Sequence, residues 1–467
     1  MSFTDKMNKL SELSAKIDQN CKARIRLTSL FDADSFVELD NFLMAGENTA
    51  GVVSGYGLVE GGVVYAFSQD VTVDSGAVSR EHAKKIRKVY ELAAKTGCPV
   101  VSIFDSNGAK LSEGNAMLNA YSKMLMWSNN LSGVVPQIAV VLGTCAGVSA
   151  MVAASADYII MSKEAELFLT APFITKANGD KNPNAGTAQN AATCGVASIV
   201  CDNEEDSLAQ TRKLITMLPQ NNLAAIPLFD FAETNAIIDV DGCPKDIVKA
   251  IADAESTLEL NPEYGKGIYT FLGTMAGVTT AFVTTSTINP MDAATCSKAA
   301  RFVKTCDAFN IPILTFIDTV GFSISADVSN IREIAKLTSA YAEATTAKIS
   351  VITGKAFGPA FVALGSKNSN ADITIAWPTA QISALAPDTA VEFLWSDRLK
   401  DAGDIKVAHA ALVEEYIDTV ASPFEATKGG YIETVIAPQD TRGTLINMLD
   451  MLAGKRESKF PKKHATL

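Results

Sequence analysis

Histidine is nearly absent: His82, His409 and His464 are the only three in 467 residues. That scarcity argues against Ser–His and Cys–His nucleophiles, whose hydroxyl or thiol needs a neighbouring base. The eight cysteines (Cys21, Cys98, Cys145, Cys194, Cys201, Cys243, Cys296, Cys306) are scattered and contain no Cys-x-x-Cys pair. They read as reduced core residues of a cytoplasmic protein, and neither a disulfide nor a metal site is expected. Cys145 is the one tempting nucleophile, but without a base it reads as a small buried residue. There is no Gly-x-Ser-x-Gly elbow, no Gly-x-x-x-x-Gly-Lys-[Ser/Thr] phosphate loop and no His-Glu-x-x-His helix. A formal net charge of −12 argues against a nucleic-acid partner. The first residues, Met1 to Lys6, lack the apolar core of a signal peptide.

Charge is missing altogether from Met124 to Ala156, a run long enough to cross a bilayer. Asn129, Asn130, Ser132, Pro136 and Gln137 interrupt it, so a strand and a helix buried on all sides are the better reading. Adjacent acids such as Glu204-Glu205 and Glu414-Glu415 read as solvated faces, and the basic run from Gly454 to His464 as a solvated end or subunit contact.

What is present is a repeat. Val140 to Leu142 forms a β-rich run that breaks at Gly143-Thr144-Cys145-Ala146-Gly147 and resumes as an Ala-rich helix; Ile349 to Thr353, then Gly354-Lys355-Ala356-Phe357-Gly358, do the same. Lys85 to Pro99 and Lys298 to Pro312 are both 14 residues; Pro99 to Asp105 and Pro312 to Asp318 are both 6. The halves are offset by 213 residues before a short deletion and 211 after it. Such a series marks a tandem duplication. Two α/β domains are expected, 1–230 and 231–467, with the seam near Pro219 to Asp246. Each glycine turn leaves helix-start N–H groups aimed outward, suited to an oxyanion.

Locally, residues 5–26 predict one amphipathic helix with Met7, Leu10, Leu13, Ile17 and Cys21 on its apolar face. Gly51 to Asp70 predicts short antiparallel strands, Glu81 to Thr96 a helix closed by Gly97, and Val100 to Asp105 a buried strand. Residues 173–190 read as a polar loop. The second half predicts strands from 268, a helix from 293, a strand over 312–318, a helix over 329–345 and a strand over 349–353.

Several stretches carry a resemblance: Gly55-Tyr56-Gly57, Phe67-Ser68-Gln69-Asp70, Lys95-Thr96-Gly97-Cys98-Pro99, Cys145-Ala146-Gly147, Thr305-Cys306-Asp307-Ala308-Phe309-Asn310 and Ala376-Trp377-Pro378-Thr379. They resemble the carboxyltransferase β subunit of biotin-dependent acyl-CoA carboxylases, of the propionyl-CoA or methylmalonyl-CoA type. The similarity spans about residue 20 to Pro461-Lys462-Lys463-His464. It implies a tandem duplication of two crotonase-like ββα-spiral domains in a dimer-based hexamer, with the acyl-CoA side in the first domain and the biotin side in the second. Each site would lie between one subunit's N-domain and its dimer partner's C-domain. In the family, carboxybiotin releases CO2, the biotin anion takes the acyl-CoA α-proton, and the enolate attacks CO2. Coenzyme A thioester is thus the implied substrate and biotin the implied cofactor. The chain has no Met-Lys-Met attachment site, so biotin would come on a separate carrier, with biotin carboxylase or decarboxylase subunits as further partners.

Carried over by position, Gly147 and Val148 would donate N–H groups to the enolate. Ser106, Gly108, Ala109, Lys110 and Ala146 would line the acyl-CoA site, with Lys110 facing its phosphates. Gly358, Pro359 and Ala360 fall where the family holds the biotin ureido oxygen, and Val362 where it sets acyl-chain length. The sequence departs from the family pattern at these places. Val148 replaces the last glycine of Cys-Ala-Gly-Gly, Lys110 the Arg of Ser-Gly-Gly-Ala-Arg, and Pro359 the second glycine of Phe-Gly-Gly-Ala. Thr284-Thr285-Ser286 replaces Asn-Gln-Pro, Val320-Gly321-Phe322 replaces Pro-Gly-Phe, and the loop from Asp327 to Arg332 is shortened. Two functions stay open: a carboxyltransferase working in the carboxylation or decarboxylation direction, or an impaired paralogue acting as a CoA-binding or scaffold subunit.

Overall fold

A computed structural model describes residues 2–240, 242–324, 328–400 and 403–458, apart from the side chain of Ser329. Asp327 and the end of the basic tail from Lys459 lie outside the described residues. The chain divides into two compact units, Met1–Pro227 and Leu228–Leu467.

The first unit has strands β1 (Val37–Glu38), β2 (Val52–Val59), β3 (Gly62–Gln69), β4 (Val100–Ser106), β5 (Gln137–Ala146), β6 (Tyr158–Ser162), β7 (Glu166–Phe168) and β8 (Ile199–Cys201). They run β1-β2-β3-β4-β5-β6-β8 across one sheet, with β7 beside the end of β5. The pairings of β1 with β2 and β2 with β3 are antiparallel; every later one is parallel. In the second unit β9 (Leu258–Leu260), β10 (Ile268–Met275), β11 (Val278–Thr285), β12 (Ile313–Ile317), β13 (Lys348–Ile352), β15 (Ile373–Ala376) and β17 (Thr434–Val435) repeat that order. Two antiparallel pairings are again followed by parallel ones. Here β14 (Lys355–Phe357) pairs with β16 (Gln381–Ser383) apart from the main sheet. The repeat read from the spacing is therefore a repeat of topology.

Both sheets are packed against helices, so central strands are buried along their whole length and mostly apolar. Every residue of β4 and of β12 is buried. In the first core Phe67 meets Phe104 edge-on, with centroids 5.5 Å apart; in the second, Trp377 donates Nε1–H to Thr441 Oγ1 at 2.9 Å. The helices α3 (Arg80–Thr96) and α4 (Ala116–Asn130) of the first unit correspond to α6 (Ala293–Ala308) and α7 (Ser329–Glu343) of the second. Ser79 caps α3 and Asp292 caps α6, each side chain accepting the N–H three residues on. Gly97 ends α3 at φ 66°, which glycine adopts without a Cβ penalty.

Two local expectations are corrected. The helix expected over 5–26 is two helices, α1 (Phe3–Ala15) and α2 (Lys22–Leu30). The break comes at Asp18-Gln19-Asn20, where the Asp18 carboxylate accepts the Asn20 N–H at 2.8 Å and so competes with the helical pattern. No residue of α1 is buried. The expected loop over 173–190 begins in a helix, Pro172–Ala177, opened by proline at its first turn, and ends in another, Ala188–Thr193. The charge-free run holds the C-terminal end of α4, all of β5 and all of α5 (Val148–Ala154). Among the described residues no helix is long and apolar enough to cross a membrane.

Candidate active site

The first turn closes β5 against β7. Gly147 sits at φ 63° and ψ −133°, a region open in practice only to glycine. Its N–H donates to the carbonyl of Phe168, the last residue of β7, at 3.0 Å. This corrects one sequence expectation: the Gly147 N–H is spent inside the fold and is not available to a ligand. The helix α5 starts at Val148, and Ala150 N–H turns back to the Gly147 carbonyl at 3.1 Å. Val148 at the first helical position has no helical acceptor behind it. Its N–H is the first that the turn presents.

The loop after β4 brings a second donor. Ser106 is fully buried, and its Oγ accepts the Gly108 N–H at 3.1 Å. Gly108 (φ 104°) lies against Ala146; a β-carbon there would stand 3.7 Å from the Ala146 carbonyl oxygen. Val78 N–H donates to the Gly108 carbonyl at 2.8 Å, and Lys110 N–H donates to the Val78 carbonyl at 3.0 Å. This ladder leaves the N–H of Ala109 pointing to the other side, as alternation along an extended chain requires. Ser106, Gly108, Ala109, Ala146 and Val148 are thus gathered in one place. Lys110 is not the free cation expected from sequence. Its Nζ lies 2.7 Å from Asp74 Oδ2, and that hydrogen bond raises its pKa.

The second turn has the same construction. Gly358 (φ 47°) follows β14, and its N–H donates to the carbonyl of Ser383, the last residue of β16, at 2.9 Å. A β-carbon on Gly358 would come within 2.8 Å of the Ala384 carbonyl oxygen. The helical segment opens at Pro359 and continues as a π-turn over Phe361–Gly365. Val362 N–H returns to the Gly358 carbonyl at 3.2 Å. Proline has no N–H, so Ala360 supplies the first donor of this helix. Ala360 itself is buried, whereas Pro359 and Val362 are exposed. Ser286, a conceivable substitute hydroxyl, has its Oγ engaged as acceptor of the Asn289 N–H at 3.0 Å.

No side-chain base emerges at the first turn. Cys145 is fully buried and burial pushes its thiol far above the ordinary range. His82 is also fully buried; its Nε2 lies 3.2 Å from Gln69 Nε2, and Gln69 Oε1 accepts the Asp105 N–H at 3.1 Å. Burial, helped by the Lys85 charge, lowers its pKa to about 3, so the ring is neutral. Beneath the turn, Arg26 is 2% exposed and holds two carboxylates. It donates to Asp105 Oδ2 at 2.9 Å and to Glu204 Oε2 and Oε1 at 3.0 and 2.8 Å. Burial opposes the guanidinium charge, but the bonds to Glu204 and Asp105 outweigh it and raise its pKa. Among the described residues no group of three His, Cys, Asp or Glu side chains could hold a metal. What the site offers is backbone donors.

Phe168, Ser383 and Arg26 were not found by sequence reasoning. The first two could have been sought as partners of matched turns; for Arg26, 79 residues from Asp105 in the chain, no local signal exists.

Residues 20–467 match the carboxyl transferase domain family. The methylmalonyl-CoA decarboxylase subunit alpha of Veillonella parvula is 37% identical over 95% of this chain and 92% of its own. The propionyl-CoA carboxylase beta chain of Saccharopolyspora erythraea is 35% identical over 95% and 90%. The hexameric transcarboxylase 12S, solved with methylmalonyl-coenzyme A and methylmalonic acid bound, superposes with a TM-score of 0.91 at 30% identity, covering 99% of this chain and 98% of that one. The two units are accordingly crotonase-like domains in tandem.

Proposed function

The chain belongs to the carboxyl transferase family, an acyl-CoA carboxyltransferase by its relatives, and we propose that it exchanges a carboxyl group between a short-chain acyl-CoA and biotin on a separate carrier. The observation that carries the acyl-CoA half is the contact of the Gly108 loop with Ala146, which brings Ala109 close to the start of α5 at Val148; the N–H groups of these two residues are the donors proposed. An acyl-CoA that loses its α-proton places negative charge on the thioester oxygen. Two fixed backbone donors stabilise that charge without reorganising. Gly147 and Gly108 hold the donors in place, and Arg26 and Asp105 support the strand beneath them. Propionyl-CoA and methylmalonyl-CoA are the substrates proposed. The first unit is the acyl-CoA side and the second the biotin side, in a dimer-based hexamer working with biotin carboxylase or decarboxylase subunits.

Biotin, when bound, supplies the carboxyl group and the acceptor of the α-proton. The residues of the second turn fit it with a single donor: Gly358 N–H is held by Ser383, Pro359 has none, and Ala360 N–H remains. That shortfall favours a second reading, in which acyl-CoA is bound but transfer is slow and the chain serves as a CoA-binding or scaffold subunit. Conversion of methylmalonyl-CoA to propionyl-CoA with free biotin as acceptor tests both. Turnover supports the first reading. Binding of both thioesters without turnover supports the second reading as a CoA-binding subunit, and failure of both thioesters to bind removes the first and leaves the second only as a scaffold subunit.

A further inference from the structure

Asp74, Ser75 and Gly76 form a left-handed turn, at φ 49°, 57° and 70°. L-residues rarely enter that region; aspartate is among the few enriched there and serine is not. The turn is held from both sides. Ahead of it the Asp70 carboxylate accepts the Thr72 N–H at 3.1 Å and the Thr72 hydroxyl at 2.6 Å. Within it Gly76 N–H donates to the Val73 carbonyl at 2.9 Å, and Ala77 N–H to the Asp74 carbonyl at 3.0 Å. Backbone of this kind persists only where its surroundings fix it, and it gathers at functional places.

The turn bears on the loop that carries Ala109. Gly76 packs under the end of β4, where a β-carbon would overlap the Asp105 carbonyl oxygen. The Ser75 carbonyl accepts the Asn107 N–H at 3.3 Å. The Asp74 carboxylate accepts Lys110 Nζ at 2.7 Å. Together with the Val78 ladder, residues 74–78 thus grip Asn107, Gly108 and Lys110, on both sides of Ala109. An ion pair with side chains 27% and 39% exposed adds little to stability. Its effect is to fix where the loop lies.

The duplication provides an internal control. Met291 N–H donates to the Gly321 carbonyl at 2.9 Å, and Ser323 N–H to the Met291 carbonyl at 3.0 Å. The second unit therefore keeps the ladder, with Met291 for Val78 and Ser323 for Lys110. It lacks the turn. Ten residues, 70–79, connect β3 to α3, whereas seven, 286–292, connect β11 to α6. No residue from Ser286 to Asp292 has a positive φ. Strand, ladder and helix form without the left-handed turn, so the fold does not require it.

We propose that Asp74 is a positioning residue for carboxyl transfer: seated on the left-handed turn, it holds Lys110, and through Lys110 it keeps the Ala109 N–H on the thioester oxygen. The proposal rests on the acyl-CoA reading above. Isotope-edited infrared spectroscopy of [1-13C]propionyl-CoA bound at saturating protein tests it, because hydrogen bonds to a thioester carbonyl lower its stretching frequency. The variants are Asp74→Lys, Lys110→Asp and the charge-swapped pair Asp74→Lys/Lys110→Asp. Asp74→Asn, which keeps a residue suited to positive φ, replaces Asp74→Lys if the reversal unfolds the chain. In wild type the carbonyl stretch should lie below that of free propionyl-CoA. Each single variant should lose much of that shift, and the swapped pair should recover it. Methylmalonyl-CoA conversion should follow the same order, with kcat lower by roughly tenfold or more in the single variants at nearly unchanged KM. A wild-type shift that the single variants retain overturns the proposal, and so does a swapped pair no better than either single variant. If wild type binds propionyl-CoA without a shift, or does not bind it, the acyl-CoA reading itself fails and this proposal falls with it.

Discussion

The carboxylate of Asp105 occupies the place a β-carbon at Gly143 would need: such a carbon would lie 2.1 Å from Oδ1. Asp318 and Gly354 stand in the same relation in the second unit, with the carboxylate oxygens 2.5 Å from the added carbon. The supports are matched as well. Asp105 N–H donates to Gln69 Oε1 at 3.1 Å, and Asp318 N–H donates to Thr285 Oγ1 at 2.8 Å, each from the end of the neighbouring strand. In the first unit Arg26 takes the carboxylate; in the second the Lys355 backbone N–H does, at 2.9 Å.

Gly143→Ala should therefore destabilise by about 3 kcal/mol or more, because the buried, bonded carboxylate of Asp105 has to move, and Gly354→Ala by somewhat less, about 1–3 kcal/mol, because the bonded carboxylate of Asp318 is only part-buried. Gly443→Ala is the control. Gly443 lies inside a helix with nothing within 4 Å of an added β-carbon, so alanine there should stabilise by roughly 0.5–1 kcal/mol. Denaturant unfolding of the three variants reads this. Equal effects at the strand ends and in the helix would mean the carboxylates do not fill that space.

These pairs also show what was legible beforehand. The aspartate, the glycine and the proline before each strand recur at a fixed spacing because each performs a local task, and local tasks leave marks in sequence. The succession of strands and helices in each half and both glycine turns followed from them. The Gly147 N–H could not be placed in the same way. Its acceptor is on β7, about twenty residues further on, and only strand pairing brings it back. Lys110 misled for the same reason, since Asp74 lies 36 residues earlier. The break at Asp18 was missed because apolar spacing continues across it, while the side-chain hydrogen bond that stops the helix is invisible to periodicity.

Val148→Pro tests the first turn. Proline at the first helical position is well tolerated, so the fold should persist while the donor proposed for the thioester oxygen disappears. The expected outcome is a loss on the order of 10²–10³ in kcat for methylmalonyl-CoA conversion, with little change in thioester affinity. An unaltered kcat would assign the enolate oxygen to other donors.

His82 gives the fold a pH dependence. Its pKa is held at about 3 in the folded protein against an ordinary value near 6.5. The unfolded chain therefore gains a proton first as pH falls. The contribution is intact above about pH 6.5 and declines steadily from there toward pH 3. At pH 5 about 2 kcal/mol of the pH 7 stability should be lost through this one group. Urea unfolding at pH 7 and pH 5 should show a smaller drop for His82→Gln than for wild type. Identical drops would place the protonation elsewhere.

Pro359 is the counterpart of Val148: each is the residue directly after a glycine whose N–H is bound to the last carbonyl of a short strand. The first turn presents an N–H at that position and the second cannot. Loss of one oxyanion donor commonly costs on the order of 10²–10³ in rate, so transfer to free biotin should be weak in the native chain. Pro359→Gly restores the missing N–H. The cost to stability should be modest, about 1 kcal/mol, since the unfolded chain regains freedom, and the exposed ring leaves little cavity. Transfer to biotin should rise by roughly tenfold or more at unchanged acyl-CoA affinity. Strong native turnover that Pro359→Gly leaves unaltered would show that the ureido oxygen is held by other groups. A raised rate accompanied by tighter acyl-CoA binding would instead place the second turn on the thioester side.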